Sequence, residues 1–333
     1  MALQHFLCGL TVVIILSSKE CGLAPKNTRI TGGEDASPGS WPWQLPRQDH
    51  SSLVASHLGQ HSQSGPNSHE VTRGVQQATC HPSYSFPFND ICLLKLSAPV
   101  NLTDYIFPVC LASENSTFYT GVRTWVTGWG RIENGTLPNI LQEVNVAVVG
   151  NNECRCSYGS IITKDVICTG LRDGGKGPCF GDGGGAMVAK KDSSWFQVGI
   201  VSFIRGCALP NFPAGFTRVS QYQEWIKSVT GSSQPGFVTF ISSGVDSDAN
   251  FTCPTILPPT TTPSPRNVTV LVSDFTRSSK PPPTTSPSPP PVTDRDGNSV
   301  FDSGENVIHF SHSTHFISLC ILVLSLFALL SDA

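Results

Sequence analysis

The chain has 333 residues, of which 14% are charged, and its formal net charge of −3 excludes a strongly basic nucleic-acid binder and a charge-driven disordered protein. Its 26 prolines and 30 glycines are spread along the whole length, and long periodic apolar stretches are scarce. This composition favours a mostly β protein, in which many short strands are joined by turns, over a helical bundle.

The N-terminus predicts a signal peptide at residues 1–18. Residues 6–16 (FLCGLTVVIIL) form an apolar run of signal-peptide length, and Ser17 and Ser18 follow it, although no charged segment precedes it. A buried core strand is the alternative, and the position next to Met1 argues against it. Five glycosylation sequons further support secretion, at Asn101, Asn115, Asn134, Asn250 and Asn267.

Twelve cysteines indicate an oxidising compartment, because disulfides persist there and are rare in the cytosol. Cys8 lies in the predicted signal peptide, and Cys320 lies in the C-terminal apolar run described below. The other ten cysteines would remain in the mature chain.

The middle of the chain carries six short motifs in a fixed order. They are Arg29-Ile30-Thr31-Gly32-Gly33, Ser40-Trp41-Pro42-Trp43-Gln44, Asn89-Asp90-Ile91-Cys92-Leu93-Leu94, Val126-Thr127-Gly128-Trp129-Gly130, Cys179-Phe180-Gly181-Asp182-Gly183-Gly184-Gly185, and Gly206-Cys207-Ala208 with Phe216-Thr217-Arg218-Val219. Together these motifs resemble the trypsin-like serine proteases of the chymotrypsin fold, and the layout is similar to that of the membrane-tethered, prostasin-like members. The resemblance covers residues 30–231 and implies a propeptide at residues 19–29.

The implied fold is mostly β, with two six-stranded antiparallel β-barrels and a C-terminal helix. The residues agree with it, because runs such as 144–149 and 196–201 are typical of strands between glycine-rich turns. A helix near the end is predicted by a Ser220…Gln223 capping box and by apolar residues at helical spacing, namely Val219, Tyr222, Trp225, Ile226 and Val229.

The chemistry of this family needs a serine nucleophile, a histidine base and an aspartate that orients the histidine. Asp90 occupies the aspartate position, whereas Gly183 occupies the nucleophile position of the Gly-Asp-Ser-Gly-Gly pattern. Glycine has no side chain, so no acyl-enzyme can form there. The family's Leu-Thr-Ala-Ala-His-Cys segment is absent, because Leu45 is followed directly by Pro46-Arg47-Gln48-Asp49-His50.

The missing segment has consequences for the base and for the fold. His50 and His57 are the nearest candidates for a replacement base, and neither precedes a cysteine in the required turn. Residues 52–54 and 58–60 are expected to form the strand that follows the missing loop. Loss of about two neighbouring strands would leave the N-terminal barrel incomplete, with unpaired strand edges and exposed apolar faces. The side chains expected on those faces are Trp41, Trp43 and Leu53.

The substrate-binding positions also depart from the family pattern. The resemblance assigns the oxyanion hole to the backbone amides of Gly181 and Gly183, and the specificity pocket to Gly177, Ser202, Phe203, Ile204 and Ala214. Gly177 stands where a trypsin-like pocket has an aspartate. Ile204 and Ala214 stand where the pocket has glycines, so the β-branched side chain is expected to narrow the entrance.

The activation residues are intact. Cleavage after Arg29 would free the amino group of Ile30, which the resemblance pairs with Asp182. The resemblance also implies the disulfides Cys21–Cys110 and Cys179–Cys207, and it pairs Cys168 with either Cys154 or Cys156. Cys253 with the spare member of that duo, and Cys80 with Cys92, are further candidate pairs that spacing alone does not prove.

Residues 254–294 are rich in Pro, Ser and Thr. Such a segment cannot bury a core, so it predicts an extended, solvated and O-glycosylated stalk within an extension that spans residues 232–303. A recognition motif for a proline-binding module is the alternative.

The C-terminus predicts a removable membrane-anchoring signal at residues 304–333. Residues 316–330 (FISLCILVLSLFALL) are shorter than the ~20 residues that span a bilayer as a helix, and no Lys or Arg follows them. A polar spacer precedes the run, and small residues lie before it near Asn298, Ser299, Ser303 and Gly304, a pattern typical of glycosylphosphatidylinositol attachment. A short transmembrane helix is the alternative. The spacing of His309, His312 and His315 would suit a metal site, but they lie in the removed segment, and we expect no metal or cofactor.

These observations support three hypotheses. The leading one is a catalytically inactive, extracellular, surface-tethered protease homologue that binds proteases, inhibitors or receptors and no nucleic acid. An active serine endopeptidase is what the resemblance alone would suggest. The third is the unfolded product of an exon-skipped transcript, which would account for the missing segment but not for Gly183, Gly177 or Ile204.

Overall fold

The computed structural model describes residues 21–27, 34–46, 55–133, 135–231 and 235–254. Its strands are β1 (Glu34–Asp35), β2 (Ala55–Leu58), β3 (Val71–Cys80), β4 (Cys92–Leu96), β5 (Cys110–Ala112), β6 (Arg123–Gly128), β7 (Gln142–Val149), β8 (Val166–Thr169), β9 (Ala186–Lys191), β10 (Ser194–Phe203), β11 (Ala214–Arg218) and β12 (Phe237–Val238). The helices are α1 (Asn151–Tyr158) and α2 (Gln223–Thr230), and 3₁₀ turns cover Gly159–Ile161, Val219–Tyr222 and Ser247–Asn250. The fold is mostly β, as predicted.

Six strands form a closed antiparallel barrel. Around the ring, β6 pairs with β7, β7 with β8, β8 with β11, β11 with β10, β10 with β9, and β9 with β6. Closure gives every strand of the ring a neighbour on both sides and leaves no free edge. The strands predicted at residues 144–149 and 196–201 lie within β7 and β10 and are confirmed.

The interior of this barrel is filled by apolar side chains. Every residue of β10 after Ser194 is buried, and β8 is buried throughout. The innermost side chains are at most 1% exposed and come from different strands, namely Val146, Ile167, Met187, Val198 and Phe216. The strands of the barrel therefore share one core.

The N-terminal half contains a three-stranded sheet, in the order β2-β3-β4, where the family fold has six strands. Residues 76–78 of the central strand β3 are all exposed. Successive side chains of a strand point to opposite faces, so neither face of the sheet is covered at this point. Within the described residues this agrees with the expected incomplete barrel. The strand predicted around residues 52–60 ends at Leu58, because Gly59 adopts a left-handed conformation with φ +72°.

Trp41 and Trp43 are buried, so the prediction that they are exposed is wrong. Trp41 is 4% exposed and Trp43 is 6% exposed. They pack against the outside of the C-terminal barrel, and Trp41 meets Trp195 of β10 edge to face with ring centroids 5.0 Å apart. Trp41 Nε1 also donates a hydrogen bond of 2.8 Å to Glu143 Oε2 on β7. The expectation failed because it considered only the N-terminal barrel, whereas these side chains are covered by the C-terminal barrel. Leu53, the third side chain expected to be exposed, lies outside the described residues.

Helix α2 begins at Gln223, and the predicted Ser220…Gln223 capping box is wrong. A 3₁₀ turn at 219–222 precedes the helix, and no side chain caps its first turn. Ser220 is buried, and Gln223 Oε1 accepts a hydrogen bond from the backbone amide of Glu114 instead. Val229, which was expected on the apolar face, is 38% exposed.

Residues 235–254 pack on the domain, although the sequence placed them in the extension. Strand β12 pairs in parallel with β5. Phe240 is buried, stacks on Phe118 at 5.0 Å, and meets Phe196 of β10 edge to face at 5.5 Å. The first part of the 232–303 extension is therefore part of the folded domain.

Five disulfides join the cysteines of the described residues: Cys21–Cys110, Cys80–Cys92, Cys154–Cys168, Cys156–Cys253 and Cys179–Cys207. The structure settles the open alternative, because Cys154 is the partner of Cys168. Residues two apart on a helix do not face the same side. Cys154 is fully buried with Cys168 in one apolar cluster, whereas Cys156 is exposed and reaches Cys253.

Among the residues that the structure describes, no helix is long and apolar enough to cross a membrane. The predicted signal peptide and the predicted C-terminal signal lie outside these residues.

Hydrogen exchange should separate the two halves of the domain. We expect the amides of residues 75–78 in β3 to exchange through local opening, because the sheet is uncovered there. The amides of β6, β7 and β10 should exchange only through global unfolding, because they lie in the closed ring. Hydrogen-exchange mass spectrometry on the secreted protein measures both. Equally strong protection of β3 and β10 would contradict this expectation.

The hydrogen bond from Trp41 to Glu143 should contribute measurably to stability. Replacing Trp41→Phe leaves a buried carboxyl oxygen without this donor, which should lower the free energy of unfolding by about 1–3 kcal/mol beyond the loss of ring area. Trp43→Phe is the matched control, because it makes the same change in the same cluster and Trp43 Nε1 has no hydrogen-bond partner among the described residues. Urea unfolding of both variants measures the difference, and equal destabilisation would refute it.

Candidate active site

Gly183, the predicted nucleophile position, lies in a loop held by backbone hydrogen bonds on both of its sides. The carbonyl of Asp182 accepts a bond of 2.9 Å from the amide of Gly185. The amide of Gly184 donates to the carbonyl of Val201 on β10, also at 2.9 Å. The loop is therefore fastened to the barrel, and it offers only backbone atoms at position 183.

The carboxylate of Asp182 is held by two backbone amides. Oδ1 accepts a bond of 2.7 Å from Gly130, and Oδ2 accepts one of 2.9 Å from Cys179. The residue keeps some surface exposure, but it lies among enough protein atoms that desolvation raises the pKa of the carboxyl, and the two amide bonds oppose this. A Cβ at Gly130 would lie 2.5 Å from Asp182 Oδ2, so glycine is needed for the carboxylate to fit.

A cavity of about 1010 Å³ borders Asp182. Gly128, Gly130, Glu143 and Gly177 are among the residues that line it. The activation residues Arg29 and Ile30 lie outside the described residues, so their pairing with Asp182 stays a prediction.

Asp90 is held in the interior. It is 3% exposed, and its Oδ2 accepts a hydrogen bond of 2.7 Å from Ser202 Oγ. Its backbone carbonyl accepts a bond of 2.8 Å from Thr217 Oγ1. The aspartate position is therefore fixed by β10 and β11 of the C-terminal barrel.

His57, one of the two candidate bases, is engaged elsewhere. It lies on β2, and its Nδ1 is 2.7 Å from Glu70 Oε1 and 3.2 Å from Thr72 Oγ1. The contacts that fix its ring therefore come from the N-terminal sheet rather than from Asp90. His50, the other candidate, lies outside the described residues.

The predicted specificity positions lie in different surroundings. Ile204 packs against the barrel core that contains Ala214 and Phe216. A cavity lined by Gly177 and Ala214, among others, has a volume of about 10 Å³. This is the room that a single water molecule needs. Gly177 also lines the larger cavity that borders Asp182.

An aromatic surface beside these positions was not found by the sequence analysis. We call Phe86, Tyr158, Phe203 and Phe212 the aromatic shelf. The Tyr158 ring meets Phe203 at 5.3 Å and Phe212 at 6.1 Å, both edge to face. Its hydroxyl donates to the carbonyl of Pro213 at 2.7 Å, and burial raises its pKa to about 12. The four aromatic residues come from four separate segments, so no local pattern could reveal the shelf.

Three of the five sequons lie in the described residues. Asn101, Asn115 and Asn250 are all exposed. Asn134 and Asn267 lie outside the described residues. Glycosylation at all five positions stays a prediction.

Comparison with known proteins places this geometry in context. Residues 30–226 match the family described as Trypsin. The chain is 35% identical to testisin from Homo sapiens over 267 residues, an alignment that covers 66% of this chain and 84% of testisin. It is 33% identical to tryptase from Mus musculus over 261 residues, which covers 65% of this chain and 95% of that protein.

The fit between Gly130 and Asp182 leads to a prediction about stability. Gly130→Ala should lower the free energy of unfolding by about 1–3 kcal/mol, because the new methyl group displaces the carboxylate from its amides. Gly177→Ala is the control on the same cavity wall, because its Cβ would meet Ala208 at an ordinary 3.8 Å. Thermal unfolding compares the two, and a Gly130→Ala protein as stable as the control would contradict the tight fit.

Proposed function

Because the chain belongs to the trypsin family of serine proteases, we propose that it is a catalytically inactive member that acts outside the cell by binding protein partners. The observation that carries this proposal is Gly183 at the nucleophile position. Serine proteases form an acyl-enzyme on the serine oxygen, and glycine offers no atom for that bond.

The surroundings of Asp90 support the same proposal. In an active triad the aspartate orients a histidine, which takes the proton of the serine. Asp90 keeps its burial and its bond from Ser202, but His57 is paired with Glu70. Without a serine there is also no hydroxyl proton for any base to accept.

The specificity positions support it independently. Gly177 carries no charge to bind a basic side chain, and Ile204 packs into the core beside Ala214. Without that charge, a substrate with a basic side chain would bind weakly even if a nucleophile were restored.

The surface around the loop is still ordered, and we propose that it binds a protease, a protease inhibitor or a receptor. Zymogen processing remains chemically reasonable: cleavage after Arg29 would place the ammonium of Ile30 near Asp182, and a nearby positive charge would lower the pKa of that carboxyl.

We further propose that a glycosylphosphatidylinositol anchor holds the mature protein on the outer face of the plasma membrane.

An active-site probe tests the loss of catalysis. The secreted protein, ending at residue 303, should not react with a fluorophosphonate before or after treatment with trypsin, because no serine oxygen is present at position 183. The trypsin used for processing is inactivated and removed before the probe is added. Active trypsin serves as the positive control for labelling. Stoichiometric labelling would instead favour an active serine endopeptidase.

The variant Gly183→Ser sharpens this test. We expect it to show no turnover of peptide substrates, because an unassisted serine is a weak nucleophile. Turnover by this single variant would mean that a base is present, and the proposal for the surroundings of Asp90 would be wrong.

Enzymatic release tests the anchor. Phosphatidylinositol-specific phospholipase C should release the full-length protein from cells, because residues 316–330 are too short for a spanning helix and lack flanking basic residues. The chain ending at residue 303 is the control and should appear in the medium without lipase. Protein that stays on the membrane, with residues 316–330 detected by mass spectrometry, would favour a transmembrane helix.

A further inference from the structure

A polar groove lies between the turn that follows β5 and the start of α2, and its volume is about 290 Å³. In the turn, the amide of Ser116 donates a hydrogen bond of 3.0 Å to the carbonyl of Ser113. The two walls are joined, because Gln223 Oε1 accepts a bond of 3.1 Å from the amide of Glu114. The volume is close to the lower end of the range, about 300–1,000 Å³, in which proteins hold small ligands. The residues that line the groove are Glu114, Asn115, Ser220, Gln221, Gln223 and Glu224.

One of the lining residues is a glycosylation sequon. Asn115 is exposed in the turn, and Thr117 completes its sequon. A glycan attached to this side chain would therefore begin at the mouth of the groove. Asn101 and Asn250, the other two sequons among the described residues, are also exposed but do not line it.

A buried hydroxyl at the groove is available to a ligand. Ser220 is 2% exposed and lines the groove. Within the part of the chain that the structure describes, no side-chain hydrogen bond joins its Oγ to another residue. A serine hydroxyl offers one donor and two acceptor positions, and buried polar groups are normally hydrogen-bonded. A ligand in the groove would supply the partner that the protein does not.

The walls of the groove carry acceptors and donors that suit a sugar. Glu114, Gln221 and Glu224 are exposed, so their carboxylates and amide face solvent. Glu224 Oε1 accepts a bond of 3.0 Å from Lys227 Nζ, which holds that carboxylate beside the groove. N-acetylglucosamine is neutral, and its hydroxyls can donate to carboxylates while its acetamide group both donates and accepts. The first sugar of an asparagine-linked glycan therefore matches the chemistry of these walls.

We propose that the N-acetylglucosamine attached to Asn115 occupies this groove and forms a hydrogen bond with Ser220 Oγ. The covalent bond to Asn115 brings the sugar to the groove. Weak contacts are then sufficient, because a group on a short tether has an effective concentration on the order of millimolar. The docked sugar joins the turn after β5 to the start of α2.

Docking of the sugar has two consequences for the domain. It strengthens a junction that the N-terminal half uses, since Leu111 of β5 and Ile226 of α2 pack in one apolar cluster with Leu93 of β4. It also covers Gln221 and Glu224, so the proposed protein partners bind elsewhere on the domain. The inference does not involve position 183, and its test is separate from that of the proposed loss of catalysis.

A double-mutant cycle between the sugar and the Ser220 hydroxyl tests the proposal. The secreted chain is produced with high-mannose glycans and treated with endoglycosidase H, which leaves one N-acetylglucosamine on each occupied asparagine. In this protein, Ser220→Ala should raise the equilibrium constant of unfolding roughly twofold to tenfold, as expected for the loss of one hydrogen bond. In the Asn115→Gln protein the same change should have no such effect, because the hydroxyl has no sugar to bind.

Asn101→Gln is the matched control for this cycle, because it removes a sugar from an exposed sequon outside the groove. Ser220→Ala should keep its full effect in the Asn101→Gln protein. Urea unfolding measures all of these proteins, and mass spectrometry measures the occupancy of Asn115. An equal effect of Ser220→Ala with and without the sugar on Asn115 would overturn the proposal, and so would an Asn115 that carries no glycan.

Hydrogen exchange provides a second measurement that leaves α2 unchanged. Peptide N-glycosidase F removes the whole glycan from the folded protein, whereas endoglycosidase H leaves the first sugar. Amides of residues 220–224 should exchange roughly twofold to tenfold more slowly in the protein that keeps the first sugar, because the sugar opposes local opening there. The Asn115→Gln protein is the control and should show the same exchange after either enzyme. Equal exchange in the two preparations of the unchanged chain would refute the docking.

Discussion

The closed ring of backbone hydrogen bonds in the six-stranded barrel is the constraint on which the rest of the structure depends. Strand β10 shows this most directly, because it pairs with β9, β11 and β5 and is buried from Trp195 to Phe203. Its side chains at Trp195 and Phe196 contact Trp41 of the N-terminal half and Phe240 of the C-terminal segment, respectively. Its far end binds the loop that carries Gly183. A barrel without edges can support neighbours that lack a complete fold of their own.

The N-terminal half illustrates that dependence. Its three-stranded sheet is uncovered along part of β3, yet the flanking segments are buried. Leu93 of β4 packs with Ile200 of β10 and Ile226 of α2, and Trp41 reaches Glu143 of β7. Within the described residues, the half with the three-stranded sheet is held by contacts to the six-stranded barrel.

The candidate active site separates what the fold needs from what catalysis needs. The carboxylate of Asp182 accepts a hydrogen bond from the amide of Gly130 and fills the space that a side chain at Gly130 would need. A substitution of either residue would therefore disturb the loop. Asp90 is likewise part of the interior through its bond from Ser202. A side chain at position 183 would serve chemistry alone, because the hydrogen bonds that hold the loop use backbone atoms on both sides of it. This explains how glycine can occupy position 183 while the surrounding geometry persists.

Features encoded by single positions or local patterns were determined by the sequence alone. The mostly β class, the strands at 144–149 and 196–201 and the glycine at 183 are of this kind, since each depends on a residue type or a short alternation. Other features depended on residues distant in the chain: the burial of Trp41, the start of α2 at Gln223 and the aromatic shelf. The same holds for the choice of Cys154 over Cys156, which follows from the side of α1 that faces the barrel. Tertiary structure decided these because burial is a property of the partner surface, and a local pattern does not specify which surface that will be.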